Sequence, residues 1–390
     1  MKILCFIDSL GSGGAQRQLV NLAIGLNKRG HQIRFLVYHQ DDHFLPLLQK
    51  ENIPCQVIHP CGYVQRVLEV RRILRKGWQD VVLSFLWAPS LYAEVARVPK
   101  LEWGLVVGER SANPKMKRFS GVLLKQFHRL ADAVVCNSHT NRLMLEVTFP
   151  FLIKKLSTVY NMVDLTLFRT AYNRTIIPFR IVVAASYHVN KNIMNVAKAL
   201  LILKEKNIKS SFVLDWFGAL RKDSNQFKQA ELFIAENEIS TSLRLHLAIR
   251  DIVDEFSRAD AVALFSFFEG IPNAVCEGMA CGKPILMSNV CDASNLVISG
   301  KNGFVCDPES PEDIAEKIQN LVELNEFEHE QMGRESRRLA EWLFDENTVL
   351  DKYEQILKSV ANHKRLSTNC TWPSYVPQSA LKTVERWRKA

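Results

Sequence analysis

Short apolar runs of β character alternate with helix-period segments along most of the chain, and this alternation constrains the fold more than any other feature. The first series of strand candidates is 2–8, 32–38, 55–58, 80–86, 104–108, 133–136 and 157–160. The second is 180–186, 211–217, 243–247, 260–265 and 284–288. Strands separated by helices build βαβ units, whose parallel sheets are covered on both faces. Between the two series the polar stretch NMVDLTLFRTAYNRTIIPF breaks the rhythm. The pattern therefore predicts an α/β chain of two doubly wound domains, at 1–165 and 179–345, joined by a linker at 166–178. Residues 310–362 read as helical with no further strand, and 346–390 as C-terminal helices and a tail able to cross back to the first domain. Doubly wound sheets bind ligands at the carboxyl ends of their strands, so the motifs there carry the functional argument.

Composition removes several classes. Of 390 residues 47% are apolar and 23% charged, as in ordinary globular proteins rather than disordered or fibrous ones. The nine cysteines are scattered and form no C-x-x-C, which argues against a disulfide scaffold or zinc site and fits a reducing compartment. No apolar run reaches the ~20 residues that span a bilayer. The N-terminal strand meets Asp8 and a glycine-rich turn too early for a signal-peptide core, so a cytoplasmic chain is expected. Net charge is +9, and its distribution is uneven. Residues 1–170 hold 23 Lys and Arg against 12 Asp and Glu, the remainder 27 against 29. The two halves are thus expected to do different electrostatic work.

The first strand runs into Asp8-Ser9-Leu10-Gly11-Ser12-Gly13-Gly14-Ala15, and Leu19, Leu22, Ala23 and Leu26 continue at helical spacing. Glycines permit close backbone approach, and a helix start offers unpaired N–H groups to an anion. The same loop also serves as a plain tight turn, and the sequence leaves both readings open. It matches neither G-x-G-x-x-G nor the P-loop pattern. A stronger constellation is Phe268-Glu269-Gly270-Ile271-Pro272-Asn273-Ala274-Val275-Cys276-Glu277-Gly278-Met279-Ala280-Cys281-Gly282-Lys283-Pro284. A buried-type strand leads to Glu269 on a loop. Asn273 is expected to cap a short helix, and Glu277 falls one turn inside it. A carboxylate accepts several hydrogen bonds at once, which suits sugar diols, while the helix start suits a phosphate.

Glu269 and Glu277 with seven residues between them, followed by Gly278-Met279-Ala280-Cys281-Gly282-Lys283-Pro284, resemble the C-terminal signature of retaining GT-B glycosyltransferases, family 4 (glycosyl transferases group 1). Other segments agree in order: Gly13-Gly14-Ala15-Gln16-Arg17, Val135-Cys136-Asn137-Ser138, Val159-Tyr160-Asn161-Met162-Val163-Asp164 and Ala185-Ser186-Tyr187-His188-Val189-Asn190-Lys191-Asn192. Gly300-Lys301-Asn302-Gly303-Phe304-Val305 looks like the family's substrate-edge turn. The resemblance covers about residues 1–345. It implies two Rossmann-like domains facing across a cleft and a nucleoside diphosphate sugar held mainly by the second. By the resemblance Lys191 meets the diphosphate, Glu277 the ribose hydroxyls and Glu269 the donor sugar. Gly270, Ile271, Pro272 and Asn273 offer backbone N–H groups, and Gly13 and Gly14 approach the phosphates from the first domain. Ser186 stands where the family usually has arginine, so one diphosphate cation is missing, with Arg110 and Arg17 as candidate replacements. The family's customary first-domain histidine is not evident, and Glu109 and Arg110 are the site residues expected at that edge.

Asp-x-Asp is absent and no His, Asp and Glu cluster has metal-ligand spacing, so metal-independent transfer without a cofactor is expected. The expected reaction moves a hexosyl-type unit to a hydroxyl of a lipid-linked or envelope glycan. Basic helical stretches at 64–76 and 114–131 add an expected peripheral contact with an anionic membrane surface. In the second stretch Lys115, Lys117, Arg118, Lys125 and Arg129 accompany an apolar stripe of Met116, Phe119, Leu123, Phe127 and Leu130. A sugar-nucleotide epimerase is a neighbouring reading, and a phosphorylase is disfavoured for want of a pyridoxal phosphate lysine motif. A non-catalytic anionic-ligand or nucleic-acid binding protein is the reading of another class, although nucleic acid gives no role to the paired glutamates.

Overall fold

The computed structural model describes residues 1–59, 62–99, 103–110, 125–170, 178–207, 211–222, 224–249 and 251–362. The described chain divides into two compact units: 1–162 with 346–362, and 163–345. The first unit is built on β1 (Lys2–Phe6), β2 (Gln32–Val37), β3 (Cys55–Val57), β4 (Val81–Phe85), β5 (Gly104–Glu109), β6 (Ala133–Cys136) and β7 (Leu156–Thr158). Its strand order is β3-β2-β1-β4-β5-β6-β7, with every neighbouring pair parallel. The second unit holds β8 (Phe179–Ala184), β9 (Phe212–Gly218), β10 (Leu243–Leu247), β11 (Ala261–Leu264), β12 (Ile285–Ser288) and β13 (Gly303–Cys306). Its order is β10-β9-β8-β11-β12-β13, again all parallel. In both units the order reverses beside the first strand, which makes the crevice at its carboxyl end the ligand position of a doubly wound sheet.

Each of the twelve expected strands forms, with ends shifted by at most two residues. Central strands such as Val81–Phe85 are buried along their whole length, which is why they read as unbroken apolar runs rather than alternating ones. One core of the first unit packs Leu19, Leu22, Ala23 and Leu26 with Leu350, Tyr353 and Leu357. The opposite face buries Val70, Leu74, Tyr92, Ala96 and Leu145. Helix Glu346–Ala361 therefore belongs to the first unit, where Arg29 reaches Asp351 at 2.6 Å and His31 reaches Glu354 at 2.9 Å.

The Gly300–Val305 segment departs from expectation. It is a turn only up to Asn302, after which Gly303–Cys306 pairs with Ile285–Ser288 as the sheet's edge strand β13. Asn302 holds the turn by accepting from Ile298 N–H at 2.7 Å and donating to Leu296 O at 2.9 Å.

Candidate functional site

In the second unit the chain leaves β8 through Ser186, Tyr187 and His188 into a short 3-10 turn, Val189–Lys191. β11 neighbours β8 in the sheet, so its exit loop, Phe265–Pro272, emerges at the same edge. Asn190 ties the two loops. Its backbone O accepts from Phe267 N–H at 2.9 Å, its Oδ1 accepts from Phe268 N–H at 3.1 Å, and its Nδ2 donates to Phe268 O at 2.9 Å. Asn192, in the left-handed region with φ 68°, donates to Phe265 O at 3.1 Å and Pro308 O at 2.7 Å.

This stitching brings Lys191 and Glu269 together across 78 residues of sequence. The Lys191 ammonium donates to Glu269 Oε1, and Ser266 Oγ donates to the same oxygen at 2.7 Å. Among the described residues the other carboxylate oxygen, Oε2, accepts no hydrogen bond. The pair is accessible, the side chains of Lys191 and Glu269 being 23% and 15% exposed.

Helix Asn273–Ala280 follows immediately. Its cap is Pro272, in extended conformation and without a side-chain cap bond, so Asn273 is the first helical residue rather than the expected cap. The proline ring fixes the φ of the cap residue, and the backbone turns helical at Asn273, one residue earlier than the sequence suggests. Gly270, Ile271 and Pro272 are buried, Asn273 is half-buried, and Glu277 is buried one turn into the helix. Gly278 lets this helix lie against β11: a Cβ there would stand 2.7–2.9 Å from the Val262 side chain. Ser186 is half-buried, with its O accepting from His188 N–H at 2.8 Å. Cys291, buried with φ 45°, lies in the electrostatic neighbourhood of Glu269, and burial pushes its thiol well above the usual range.

In the first unit Gly13 and Gly14 are exposed at the start of helix Gly14–Lys28, Gly13 being its cap in extended conformation with no side-chain cap bond. Arg17 is half-buried and engaged, its N–H bonding Gly13 O at 3.0 Å. Arg110, at the end of β5, donates to Asn161 Oδ1 at 3.1 Å and to Tyr353 OH, and its guanidinium lies 3.6 Å from the Phe85 ring centroid. Its contacts thus link strand ends to the C-terminal helix.

Glu109 is not at the surface. Its Oε1 receives the Lys125 ammonium and stands 3.0 Å from His128 Nε2, whose Nδ1 meets Glu94 Oε1 at 2.5 Å. All four residues are buried. Burial alone would push Glu109 up, but Lys125 and His128 hold its carboxyl well below the usual range. Burial and Lys125 oppose a charge on His128, yet its hydrogen bonds to Glu109 and Glu94 raise its pKa. Glu94 is itself raised, chiefly by burial. Lys125 therefore departs from its expected place on a membrane-facing basic helix at 114–131: it is buried on a carboxylate, and Gln126–Leu130 is a 3-10 turn. Residues 111–124, with Lys115, Met116, Lys117, Arg118, Phe119 and Leu123, lie outside the described residues. The sequence assigned no role to Ser266, Asn190, His128 or Glu94, although Asn190 stands beside Lys191 in the segment quoted above and Ser266 three residues before Glu269.

Among the described residues no three His, Cys, Asp or Glu side chains gather as a metal-ligand set, and no helix is long and apolar enough to cross a membrane.

Comparison with known proteins agrees with this architecture. A family model described as Glycosyltransferase Family 4 matches residues 12–167, and one described as Glycosyl transferases group 1 matches 177–339. The chain is similar to the GalNAc-alpha-(1->4)-GalNAc-alpha-(1->3)-diNAcBac-PP-undecaprenol alpha-1,4-N-acetyl-D-galactosaminyltransferase of Campylobacter jejuni, 22% identical over 93% of this chain and 99% of that one. Among solved structures it is similar to Anabaena Alr3699/HepE in complex with UDP-glucose, at TM-score 0.79 and 19% identity over 92% of this chain and 100% of that one. It is also similar to a glycosyltransferase from Rickettsia africae, at TM-score 0.77 and 18% identity over 92% and 98% of the respective chains. With two parallel doubly wound sheets, the two family models in order along the chain, and relatives that share nearly its whole length, the chain belongs to the family 4 glycosyltransferases of GT-B fold and is a glycosyltransferase.

Proposed function

We propose that the chain transfers a sugar, with retention of anomeric configuration, from a nucleoside diphosphate sugar to a hydroxyl of a lipid-linked or envelope glycan. The observation that carries this reading is the convergence of Lys191 and Glu269 at one sheet edge, beside the helix bearing Glu277. Lys191 has three N–H donors and gives one to Glu269, leaving two for diphosphate oxygens. The N–H groups opening helix Asn273–Ala280 add positive character without a capping side chain. Glu269 Oε2 is available for donor-sugar hydroxyls, and Glu277 is the acceptor for the ribose diol. Solved structures of similar fold hold UDP and UDP-glucose, which supports a nucleotide-sugar donor.

In this reading fixed protein donors stabilise the departing diphosphate without a metal or cofactor. The acceptor oxygen bonds the anomeric carbon from the face the phosphate leaves. The C–O bond to the β-phosphate breaks with its electron pair going to the phosphate oxygen, which takes the hydroxyl proton. Glu269 then orients the sugar and needs no covalent adduct. Ser186 brings no cation, so Lys191 carries more of the diphosphate charge than it would beside an arginine.

The relative whose acceptor is a PP-undecaprenol-linked saccharide supports a lipid-linked acceptor here. Helix Tyr63–Leu74 supports peripheral contact at an inner membrane face: Tyr63, Val64 and Leu68 are exposed, as are Arg72, Arg75 and Lys76. The test of the donor is a thermal-shift panel of nucleoside diphosphates and their sugars. A cognate donor at 100 times its Kd should stabilise by about 2.7 kcal/mol, whereas no response to any of them would overturn the reading.

A further inference from the structure

We infer that Ser266 is a positioning residue that keeps Glu269 aligned on the donor sugar once the diphosphate draws Lys191 away, so that Lys191 is a cation shared in turn by Glu269 and the donor. The inference rests on the donor-site reading above and adds to it an order of events.

Its basis is that one carboxylate oxygen serves two donors. Lys191 and Ser266 both donate to Glu269 Oε1, and among the described residues nothing holds Oε2. An arriving diphosphate is a stronger and more multivalent acceptor for the ammonium than one carboxylate oxygen. As Lys191 turns to it, Glu269 is left beside a new anion, and like charges at that range repel. A long, partly exposed carboxylate would then swing away unless a neutral donor kept it.

Ser266 is built for that task. It is fully buried, and its hydroxyl stands 2.7 Å from Oε1. Its backbone O accepts from Ser288 Oγ, also fully buried, at 2.6 Å. The next two residues are pinned by the three hydrogen bonds of Asn190, the immediate neighbour of Lys191. The backbones on either side of the ion pair are therefore fixed relative to each other. Only the lysine and glutamate side chains remain to rearrange, and the serine hydroxyl is the fixed point between them. A hydroxyl also carries no charge to compete with the diphosphate for Lys191.

The experiment measures equilibrium affinity for UDP, GDP, ADP, CDP and dTDP and for one sugar conjugate of each, in the full chain and three variants. For the nucleotide that binds, Ser266→Ala should leave the affinity for the bare diphosphate within about twofold and weaken the sugar conjugate about tenfold. Ser266→Thr, which restores the hydroxyl, should recover most of that loss. Glu269→Gln should bind the bare diphosphate several-fold more tightly than the unaltered chain, because Lys191 no longer has a competing carboxylate. Equal weakening of diphosphate and conjugate in Ser266→Ala, no recovery with threonine, or unchanged diphosphate affinity in Glu269→Gln would each overturn the inference while leaving the donor site standing. Failure of the unaltered chain to bind any nucleotide of the panel would remove the donor-site reading itself.

Discussion

Two lysine–glutamate pairs stand at carboxyl ends of central strands, one in each unit, and they are built to opposite ends. Lys125 and Glu109 are 10% and 7% exposed and share the carboxylate with His128, which in turn bonds Glu94. That cluster is closed, with two carboxylates facing an ammonium and an imidazole. Lys191 and Glu269 are 23% and 15% exposed, with one cation, one carboxylate and a serine hydroxyl. A buried network satisfied from within resists exchange and fixes geometry. A half-open pair can trade its partner for a ligand. The carboxyl end of an interior strand thus yields a brace after β5 of the first unit and a candidate binding site after β11 of the second, and the difference lies in how many partners surround the carboxylate.

Removing one member of each pair separates the two most strongly. Lys191→Ala should lower sugar transfer about 10³-fold, on the scale of losing a transition-state donor, with little change in the urea midpoint. Glu109→Ala should do the reverse, costing about 3–5 kcal/mol of stability because buried cations lose their partner. Full activity in the first variant, or unchanged stability in the second, would erase the contrast.

The brace should also be visible in the pH dependence of stability. His128 has its pKa raised in the folded state, so its contribution is complete below about pH 6.5 and is lost as pH rises through the folded value. Glu109 is depressed, so its contribution is present above about pH 4.3 and is lost as pH falls towards the folded value. Glu94, raised by burial, works with the sign opposite to Glu109. Urea midpoints measured from pH 5 to 9 should fall on the alkaline side, and His128→Gln should flatten that limb. An alkaline limb that survives in the variant would assign it to other groups.

A smaller effect sharpens the open site. Gly278→Ala places a methyl against Val262 and should push the helix carrying Glu277 off β11, at about 1–3 kcal/mol. Smallest of all is the membrane contact. Replacing Arg72, Arg75 and Lys76 with glutamine should reduce co-sedimentation with anionic vesicles at low salt by about 1 kcal/mol per charge and leave folding unchanged. Co-sedimentation indifferent to lipid charge would remove the membrane reading.

Much of the fold was legible because parallel strands buried on both faces announce themselves as short apolar runs. β13 escaped because Gly303–Cys306 has only four residues, two of them half-buried, after a Gly-Lys-Asn turn. Its identity depends on pairing with β12, which no local pattern encodes. Glu269 and Glu277 were readable from their spacing and surroundings. The partners of Glu109 were not: Glu94 comes from a helix, His128 from a 3-10 turn and Lys125 from the residue before that turn, and neither periodicity nor spacing links them. Lys125 looked like part of a basic face because burial of a lysine is a tertiary event, decided by the carboxylate it meets.

In the proposed donor site the second unit holds the activated sugar through Lys191, Glu269 and Glu277. A crystal structure of the full chain with the nucleoside diphosphate that most stabilises it tests this directly. The diphosphate should lie within hydrogen-bond distance of Lys191 Nζ, with the ribose hydroxyls on Glu277. A nucleotide bound elsewhere, with Lys191 still seated on Glu269, would contradict it.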